Sequence, residues 1–175
     1  GHTNMTELAY SGLGINPHYG TPDNPFYPGS VPGGSTSGGA VSVALDLSDI
    51  AIGTDTGGST RIPAAFTGIT GFKPTQDNIS RNGVLTLSSS LDSVGLMAKN
   101  VGLCKLGYEA MRKEKNTKEK KLENKNFQFI IPSNFGFENI DTEIRVAFDS
   151  ANKKIKENGY QIVEMNVPVL DLYKK

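Results

Sequence analysis

The sequence predicts an α/β fold, and three observations support that class. Residues 127–165 show a strand pattern, an amphipathic helix pattern and a second strand pattern in turn. A strand, a helix and a strand at this spacing form a βαβ unit, which places two parallel strands in one sheet. Earlier, strand patterns at 50–53 and 69–72 flank a helical turn at 63–66. Finally, 37% of the 175 residues are hydrophobic, which is enough for a packed core.

The N-terminal part is predicted to hold short elements joined by long loops. Residues 3–11 fit a short helix, whereas the five prolines of 12–34 forbid regular structure there. Aromatic side chains in this loop favour an ordered, packed conformation; they are Tyr19, Phe26 and Tyr27. The small apolar residues of 35–45 predict a buried helix that is entered through Gly33 and Gly34.

The C-terminal part is predicted to be scaffold. A helix is expected at 100–112, and the charged stretch 112–125, with seven basic and three acidic side chains, is interpreted as a solvated linker rather than an anionic docking patch. The strands of the βαβ unit are expected at 127–131 and 160–165. Its helix at 141–158 ends at a glycine and carries a core-facing apolar stripe. The stripe consists of Ile144, Ala147, Phe148, Ala151 and Ile155.

We therefore expect one partial domain over 1–175. Its core, residues 1–100, contains 16 of the 20 glycines but only 11 charged residues. Glycine is used where the backbone turns sharply or approaches a ligand, so the chemistry is expected there. The linker 112–125 follows, and 126–175 continues the domain as the βαβ unit.

Composition excludes several classes of protein. The chain carries 18 basic and 18 acidic side chains, so it lacks the basic excess of a nucleic-acid binder. Its single cysteine, Cys104, excludes an internal disulfide and a zinc site built on cysteines. His2 and His18 are too few for a histidine-based metal site, and no apolar run is long enough to span a membrane.

Familiar nucleotide and hydrolase motifs are not found in the sequence. No lysine follows the paired glycines as a phosphate-binding P-loop requires, and Pro17 interrupts the dinucleotide pattern that Gly12 begins. Ser59 is followed two residues later by Arg61 instead of glycine, which excludes the nucleophile elbow of α/β-hydrolases.

Two glycine–serine clusters remain: GGSTSGGA at 33–40 and GTDTGGSTRIPAAF at 53–66. In the second, Ser59 follows two glycines that come soon after a strand, so several backbone N–H groups can point at one spot beside its hydroxyl. A nucleophile beside donors for an oxyanion is what acyl transfer requires. The same text also fits a tight strand-to-helix turn capped by Ser59, and these residues alone leave both interpretations open.

Taken together, the clusters resemble the amidase signature family. Its core text reads Gly-Gly-Ser-Ser-x-Gly, then a small apolar helix, then Gly-Thr-Asp-Thr-Gly-Gly-Ser-Ile-Arg-x-Pro-Ala-Ala-Phe. Ser35 and Ser59 are 24 residues apart, as in the family. The likeness continues through 71–75 and 80–95. It implies a three-layer α/β/α fold with a mixed central sheet, which is incomplete in this chain.

The resemblance implies hydrolysis of a carboxamide by a Ser–cis-Ser–Lys triad. Ser59 would be the nucleophile that accepts the acyl group, and Ser35 would be the bridging serine, held in a cis peptide after Gly34. Asp55 and Arg61 match positions that support the loop. The oxyanion hole would consist of four backbone N–H groups, those of Thr56, Gly57, Gly58 and Ser59.

The third member of the triad is missing. In the family the catalytic lysine lies further upstream of the first serine than the 34 residues present here. Lys73 matches a structural position, and His2 replaces a different lysine. The chain begins at Gly1, within a motif, so we expect it to be an internal fragment that is inactive alone.

The resemblance also carries expectations about ligands, partners and location. It implies a small-molecule amide substrate and neither a metal nor an organic cofactor. No nucleic-acid or membrane partner is expected. A cytoplasmic location is expected, with a homodimer as one option.

Two other functions are compatible with the same sequence motifs. The A subunit of the tRNA-dependent amidotransferase passes ammonia to a partner protein, but it typically reads Asn-Met-Asp-Glu-Phe-Ala-Met-Gly, whereas residues 4–11 read Asn-Met-Thr-Glu-Leu-Ala-Tyr-Ser. It also tends to have Gln where Ile62 stands. The other function is a non-catalytic module that keeps the fold, and the presence of both serines and both glycine turns argues against it.

Overall fold

The computed structural model describes residues 1–113, 127–136 and 138–174. The chain divides into two units, Gly1–Thr117 and Lys118–Lys175. Apart from its first two positions, the predicted linker 112–125 lies outside the described residues. Over the described ranges, no helix combines the length and the apolar character that crossing a membrane requires.

The first unit is built on a three-stranded antiparallel sheet. Its elements are α1 (Ser37–Ala44), β1 (Ile50–Asp55), α2 (Arg61–Phe66), β2 (Thr70–Phe72), β3 (Ser93–Ala98) and α3 (Val101–Met111). The strand order is β1-β3-β2, with Asp55 opposite Ser93 and both Ile50 and Thr70 opposite Ala98. Apart from β3, these elements lie within a few residues of their predicted positions.

The central strand, β3, was not predicted from the sequence. Its text, Ser-Val-Gly-Leu-Met-Ala, contains only one β-branched residue and a glycine, so its intrinsic strand preference is weak. All six residues are buried, and Leu96 and Met97 are fully so. The strand forms because it has a partner strand on each edge and helices on both faces. These contacts come from the tertiary structure and leave no signal in the local sequence.

Helices cover both faces of this sheet. Gly39 of α1 lies against Met97, since a Cβ added at Gly39 would be 3.1 Å from the Met97 Cε atom. Gly107 of α3 lies against Leu96, since a Cβ added at Gly107 would be 3.4 Å from the Leu96 Cδ2 atom. Neighbouring residues of a strand point to opposite faces, so α1 and α3 lie on opposite sides of the sheet. The predicted α/β class and its three layers are confirmed for this unit.

The predicted helix at 3–11 is wrong. The structure has a single turn of 3-10 helix there, Glu7–Ala9. Its last two residues have positive φ angles of 54° and 57°, which a right-handed helix cannot continue. The segment is tied to the first glycine–serine cluster instead, because the Thr6 N–H donates to the carbonyl oxygen of Ser35 at 2.9 Å.

Two buried asparagines order the loop 12–34. The Asn16 side chain donates to the Met5 carbonyl oxygen at 2.8 Å and accepts from two loop amides. The Asn24 side chain donates to the Phe66 carbonyl oxygen at 2.9 Å and also accepts from two amides. The prediction that aromatic side chains pack the loop is wrong, because they are 58–86% exposed; they are Tyr19, Phe26 and Tyr27.

The second unit is the predicted βαβ motif, and this prediction is confirmed. It consists of β4 (Gln128–Pro132), α4 (Thr142–Glu157) and β5 (Gln161–Met165), with the two strands parallel. Gly159 follows α4 with a φ of 85°, as expected for the residue that ends a helix.

The prediction that the apolar stripe of α4 faces a core is wrong for this unit. Ile144 is 59% exposed, Ala147 and Ala151 are also exposed, and Phe148 and Ile155 are half-buried. Two strands form too narrow a surface to cover one face of a 16-residue helix. The periodicity therefore predicted the helix correctly but not its burial.

Candidate active site

Ser35 lies at the entry to α1 and is fully buried. The peptide bond between Gly34 and Ser35 is cis, which is the conformation that the resemblance implies. Gly34 passes so close to Gly14 that an added Cβ would lie 2.5 Å from the Gly14 nitrogen, so no larger residue fits. The Ser35 hydroxyl forms no hydrogen bond within the described residues. The buried hydroxyls of Thr6 and Ser37 also lack a partner there, whereas buried hydroxyls are normally paired.

Ser59 lies in the turn that connects β1 to α2, which we call the Ser59 turn (residues 56–60). Its side chain is half-buried. Gly58, directly before it, has a φ of 138°, and an added Cβ would lie 2.7 Å from the Ile62 Cδ1 atom. The Ile62 N–H donates to the Gly58 carbonyl oxygen at 2.7 Å, and this hydrogen bond lies at the start of α2. The turn is therefore a glycine-dependent strand-to-helix junction with the serine hydroxyl on it.

The backbone N–H groups at the tip of the turn are not used inside the protein. Among the described residues, none accepts a hydrogen bond from the amides of 56–59. Gly57 is exposed, and an added Cβ would meet no atom within 4 Å. Unused amide donors beside a serine hydroxyl are the groups that bind an oxyanion. Their convergence on one oxygen stays a prediction.

One hydrogen bond joins the two serine segments. The Thr36 N–H donates to the carbonyl oxygen of Ser59 at 3.2 Å. Since Thr36 directly follows Ser35, the fold brings together backbones that are 24 residues apart in the sequence. A Cβ added at Gly53 would lie 2.5 Å from the Thr36 Oγ1 atom, so β1 also depends on a glycine where it passes Thr36. Contact between the two serine hydroxyls, which the bridging role of Ser35 implies, stays a prediction.

Asp55 and Arg61 close the base of the Ser59 turn. The Asp55 carboxylate is fully buried and accepts two hydrogen bonds from the Arg61 guanidinium, each at 2.9 Å. It also accepts the Thr60 hydroxyl at 2.9 Å. Burial alone would raise the pKa of Asp55, but the hydrogen bonds from Arg61 and Thr60 outweigh it and hold that pKa below its usual value. The charged clamp thus ties the C-terminal end of the turn to the end of β1.

Asp92, which was not predicted as a site residue, holds the N-terminal side of the turn. Its side chain is buried and accepts the Thr56 hydroxyl at 2.5 Å. It also accepts the backbone N–H groups of Leu87 and Ser88 at 2.9 and 3.0 Å. Burial alone would raise the pKa of Asp92, but these hydrogen bonds, led by that from Thr56, lower it. The serine-rich sequence around Asp92 contains no motif that predicts its contact with Thr56, which lies 36 residues earlier.

Two lysines that follow Ser59, Lys73 and Lys99, are engaged elsewhere. Lys73 donates to the Pro74 carbonyl oxygen at 3.1 Å and to the Ser93 hydroxyl at 3.2 Å. Lys99 donates to the Ala44 carbonyl oxygen at 2.9 Å. Within the ranges that the structure describes, no group of three or more His, Cys, Asp or Glu side chains is arranged to hold a metal ion.

A cavity of about 390 Å³ adjoins the Ser59 turn. Thr56 and Asp92 line it together with apolar side chains, which include Met5, Leu8, Val84 and Leu85. Apolar walls with a few polar groups are typical of small-molecule sites. The space beside the turn therefore suits a small organic group.

Comparison with known proteins shows the family. The sequence model of the family described as Amidase matches residues 1–174. Amidase 1 of Oryza sativa subsp. japonica is 50% identical over 101 residues, which are 58% of this chain and 23% of that protein. The A subunit of glutamyl-tRNA(Gln) amidotransferase from Clostridium botulinum (strain Kyoto / Type A2) is 37% identical over 184 residues, covering 98% of this chain and 38% of that protein.

Comparison of the fold with solved structures points to the same family. A solved structure described as a crystal structure of amidase is similar with a TM-score of 0.86 and 34% sequence identity, covering 97% of this chain and 38% of that one. The chain thus spans well under half the length of the proteins that it matches. Since the family match extends over almost every residue, the chain belongs to the amidase signature family.

Proposed function

We propose that this chain carries the serine part of an amidase that hydrolyses a small-molecule carboxamide to a carboxylic acid and ammonia. The hydrogen bond from the Thr36 N–H to the Ser59 carbonyl oxygen carries the proposal, because it joins the segments of the two serines. Family membership supports a hydrolase that acts on carbon–nitrogen bonds. A cytoplasmic location and a homodimer belong to the same proposal.

Ser59 is the proposed nucleophile. Its oxygen attacks the amide carbon and forms a tetrahedral intermediate, whose negatively charged oxygen accepts hydrogen bonds from backbone amides of 56–59. Those amides have no acceptor among the described residues. The half-buried position of Ser59 allows a substrate to reach it while the turn remains anchored.

Ser35 is the proposed relay. A free hydroxyl is a poor nucleophile, so the Ser59 proton must be taken by a base. In this proposal the proton passes to Ser35, whose own proton passes to a neutral lysine from outside the chain. The unpaired, fully buried hydroxyl of Ser35 supports this assignment. The relay then returns the proton to the leaving nitrogen as ammonia departs, and water hydrolyses the acyl-serine ester.

The second candidate is the A subunit of a tRNA-dependent amidotransferase. The similarity to the Clostridium botulinum protein, 37% identity over 98% of this chain, favours it. The chemistry at Ser59 would be the same, but the ammonia would pass to a partner protein. The residues at 4–11 differ from the text typical of that subclass, so we favour the free-standing amidase.

Ammonia release from a panel of simple amides tests the proposal. The whole protein that contains this chain is compared with its Ser59→Ala variant and with Ser90→Ala, which removes an exposed serine hydroxyl elsewhere. Ser59→Ala is expected to lower the rate by several powers of ten, whereas Ser90→Ala leaves it unchanged. Equal rates for Ser59→Ala and the parent protein would contradict the mechanism.

A second assay separates the two candidates. The amidotransferase candidate predicts ammonia release from glutamine that rises when the partner proteins and the aminoacylated tRNA are added. The free-standing amidase is expected to turn over simple amides without any of these. No release in either assay would support a non-catalytic module.

A further inference from the structure

We propose that Asp92 is a positioning residue for the reaction, which orients the Ser59 turn through the hydroxyl of Thr56. The inference rests on the proposed function, because it concerns the geometry of the same turn. The Thr56 amide is the first of the proposed oxyanion donors, and the Thr56 hydroxyl donates to the Asp92 Oδ1 atom at 2.5 Å. One side chain thus connects the first donor of the turn to a residue 36 positions away.

Asp92 is a firm anchor. It is 3% exposed and directly precedes the buried central strand β3. Both carboxylate oxygens accept the Ser88 N–H at 3.0 Å, and one also accepts the Leu87 N–H at 2.9 Å. Hydrogen bonds to a carboxylate are about twice as strong as those between neutral groups. The group that holds Thr56 is therefore itself held by the sheet and by the loop before it.

The tether acts where the turn is least constrained. Asp55 bonds to Thr60 and Arg61, so the C-terminal end of the turn is fixed by its own clamp. The glycines at 57 and 58 leave the N-terminal half with few side-chain contacts of its own, since glycine has the widest conformational freedom. The Thr56 hydroxyl supplies the missing restraint. Amide donors stabilise an oxyanion best when they need not reorganise during the reaction.

Asp92 is not the missing base in this account. Its oxygens are already occupied by one hydroxyl and two backbone amides, which also lower its pKa and favour the charged form. The same donors neutralise much of the field of its charge. The expected contribution is orientation, which affects kcat more than KM.

Thr56→Val in the whole protein is the primary test. Valine keeps the branched shape but removes the hydroxyl, so the amide stays while the tether is lost. We expect kcat for a simple amide to fall about 10- to 100-fold, less than the roughly 10²- to 10³-fold typical for loss of a whole oxyanion donor. KM and the thermal unfolding midpoint should stay close to those of the parent protein. Thr56→Ser, which restores a hydroxyl, should recover most of the rate.

Two further variants complete the design. Thr75→Val makes the same exchange at an exposed threonine in another loop and should leave kcat unchanged. Asp92→Ala, which removes the acceptor of the Thr56 hydroxyl, should lower kcat at least as much as Thr56→Val does. The double variant should be no slower than the slower single variant, because both changes break the same link. Additive losses in the double variant would contradict a shared link.

The remaining outcomes separate this inference from the proposed function. Full kcat in Thr56→Val, or an equal loss in Thr56→Ser, would overturn the role of the hydroxyl. If Ser59→Ala is inactive while Thr56→Val is fully active, only the inference about Asp92 fails. If Ser59→Ala retains full activity, the proposed function fails.

Discussion

The amide of Thr36 donates a hydrogen bond to the carbonyl oxygen of Ser59 at 3.2 Å. This single contact connects the entry of α1, where Ser35 lies, to the turn that follows β1. Each of the two segments depends on a glycine. A Cβ added at Gly34 would meet the backbone of Gly14, and Gly58 has a φ of 138°, which residues with a Cβ rarely adopt. The two glycine–serine clusters of the sequence are therefore two halves of one local structure.

Loss of Arg61 should destabilise the protein more than loss of a comparable surface arginine. Arg61→Ala leaves the fully buried Asp55 carboxylate without its charged partner. Breaking a fully buried pair typically costs about 3–5 kcal/mol. Because the Arg61 side chain is 50% exposed, we expect a smaller loss of about 2 kcal/mol.

The control for that change is Arg81→Ala. Arg81 is 27% exposed and donates to the Ser89 carbonyl oxygen at 2.9 Å, but its ion-pair partner Asp77 is 63% exposed and stays hydrated without it. The expected loss is therefore about 1 kcal/mol. Urea-induced unfolding of the purified variants measures both. Equal losses for Arg61→Ala and Arg81→Ala would show that the Asp55 clamp is no more than a surface ion pair.

Acid should weaken the fold through Asp55. Its pKa in the folded state lies below its ordinary value of 3.8, because hydrogen bonds from Arg61 and Thr60 outweigh the effect of burial. A depressed pKa contributes stability that is fully present above the unfolded-state value and is lost as pH falls through the folded-state value. The free energy of unfolding should therefore decline as pH drops below about 4.

Asp55→Asn tests that assignment. The variant should be less stable than the parent protein at neutral pH, and the difference should shrink as the pH is lowered. A difference that stays constant from neutral pH to about pH 3, below the ordinary pKa of an aspartate, would show that the charge of Asp55 is not the stabilising feature.

Gly58→Ala should disrupt the Ser59 turn, whereas Gly57→Ala should leave the fold intact. Gly58 has a φ of 138°, and its added Cβ would lie 2.7 Å from Ile62. Such a backbone conformation costs a residue with a Cβ about 1–3 kcal/mol. The Cβ of an alanine at position 57 would meet no atom within 4 Å. Thermal unfolding of the two variants gives the comparison, and equal midpoints would contradict it.

The 175-residue chain by itself is expected to hydrolyse no amide at a measurable rate. It supplies the proposed nucleophile, relay and oxyanion donors, whereas the resemblance to the family implies a catalytic lysine upstream of these residues. Losing one member of a cooperating catalytic set typically costs several powers of ten that the others cannot recover. Ammonia release by the purified chain, abolished by Ser59→Ala, would mean that the base lies within these residues after all.

The sequence predicted the elements whose local signals agree with their surroundings. Helix α4 and strands β4 and β5 follow their periodicity, and α1 follows its small apolar residues. Strand β3 was missed because its stability comes from neighbours on every side rather than from its own text. The aromatic side chains of 12–34 suggested packing, whereas the loop is ordered by two asparagine amides that bond to backbone groups.

Some residues of the candidate site were predicted from the sequence and others were not. Four site residues were identified because they match the sequence motif of the amidase signature family: Ser35, Ser59, Asp55 and Arg61. The structure brings them into one region. Asp92 was not identified, because it lies outside both clusters. Only the fold brings it to Thr56, since a contact between two loops leaves no periodic or motif-like signal in one sequence.

The most direct test of the central claim is to trap the acyl-serine intermediate. The whole protein is treated with a serine-reactive fluorophosphonate, digested, and analysed by mass spectrometry, with Ser59→Ala and Ser35→Ala in parallel. The account predicts a covalent adduct on the peptide that contains Ser59, none in Ser59→Ala, and slower labelling at the same residue in Ser35→Ala. An adduct on Ser35 or on any other residue, with labelling unchanged in Ser59→Ala, would contradict it.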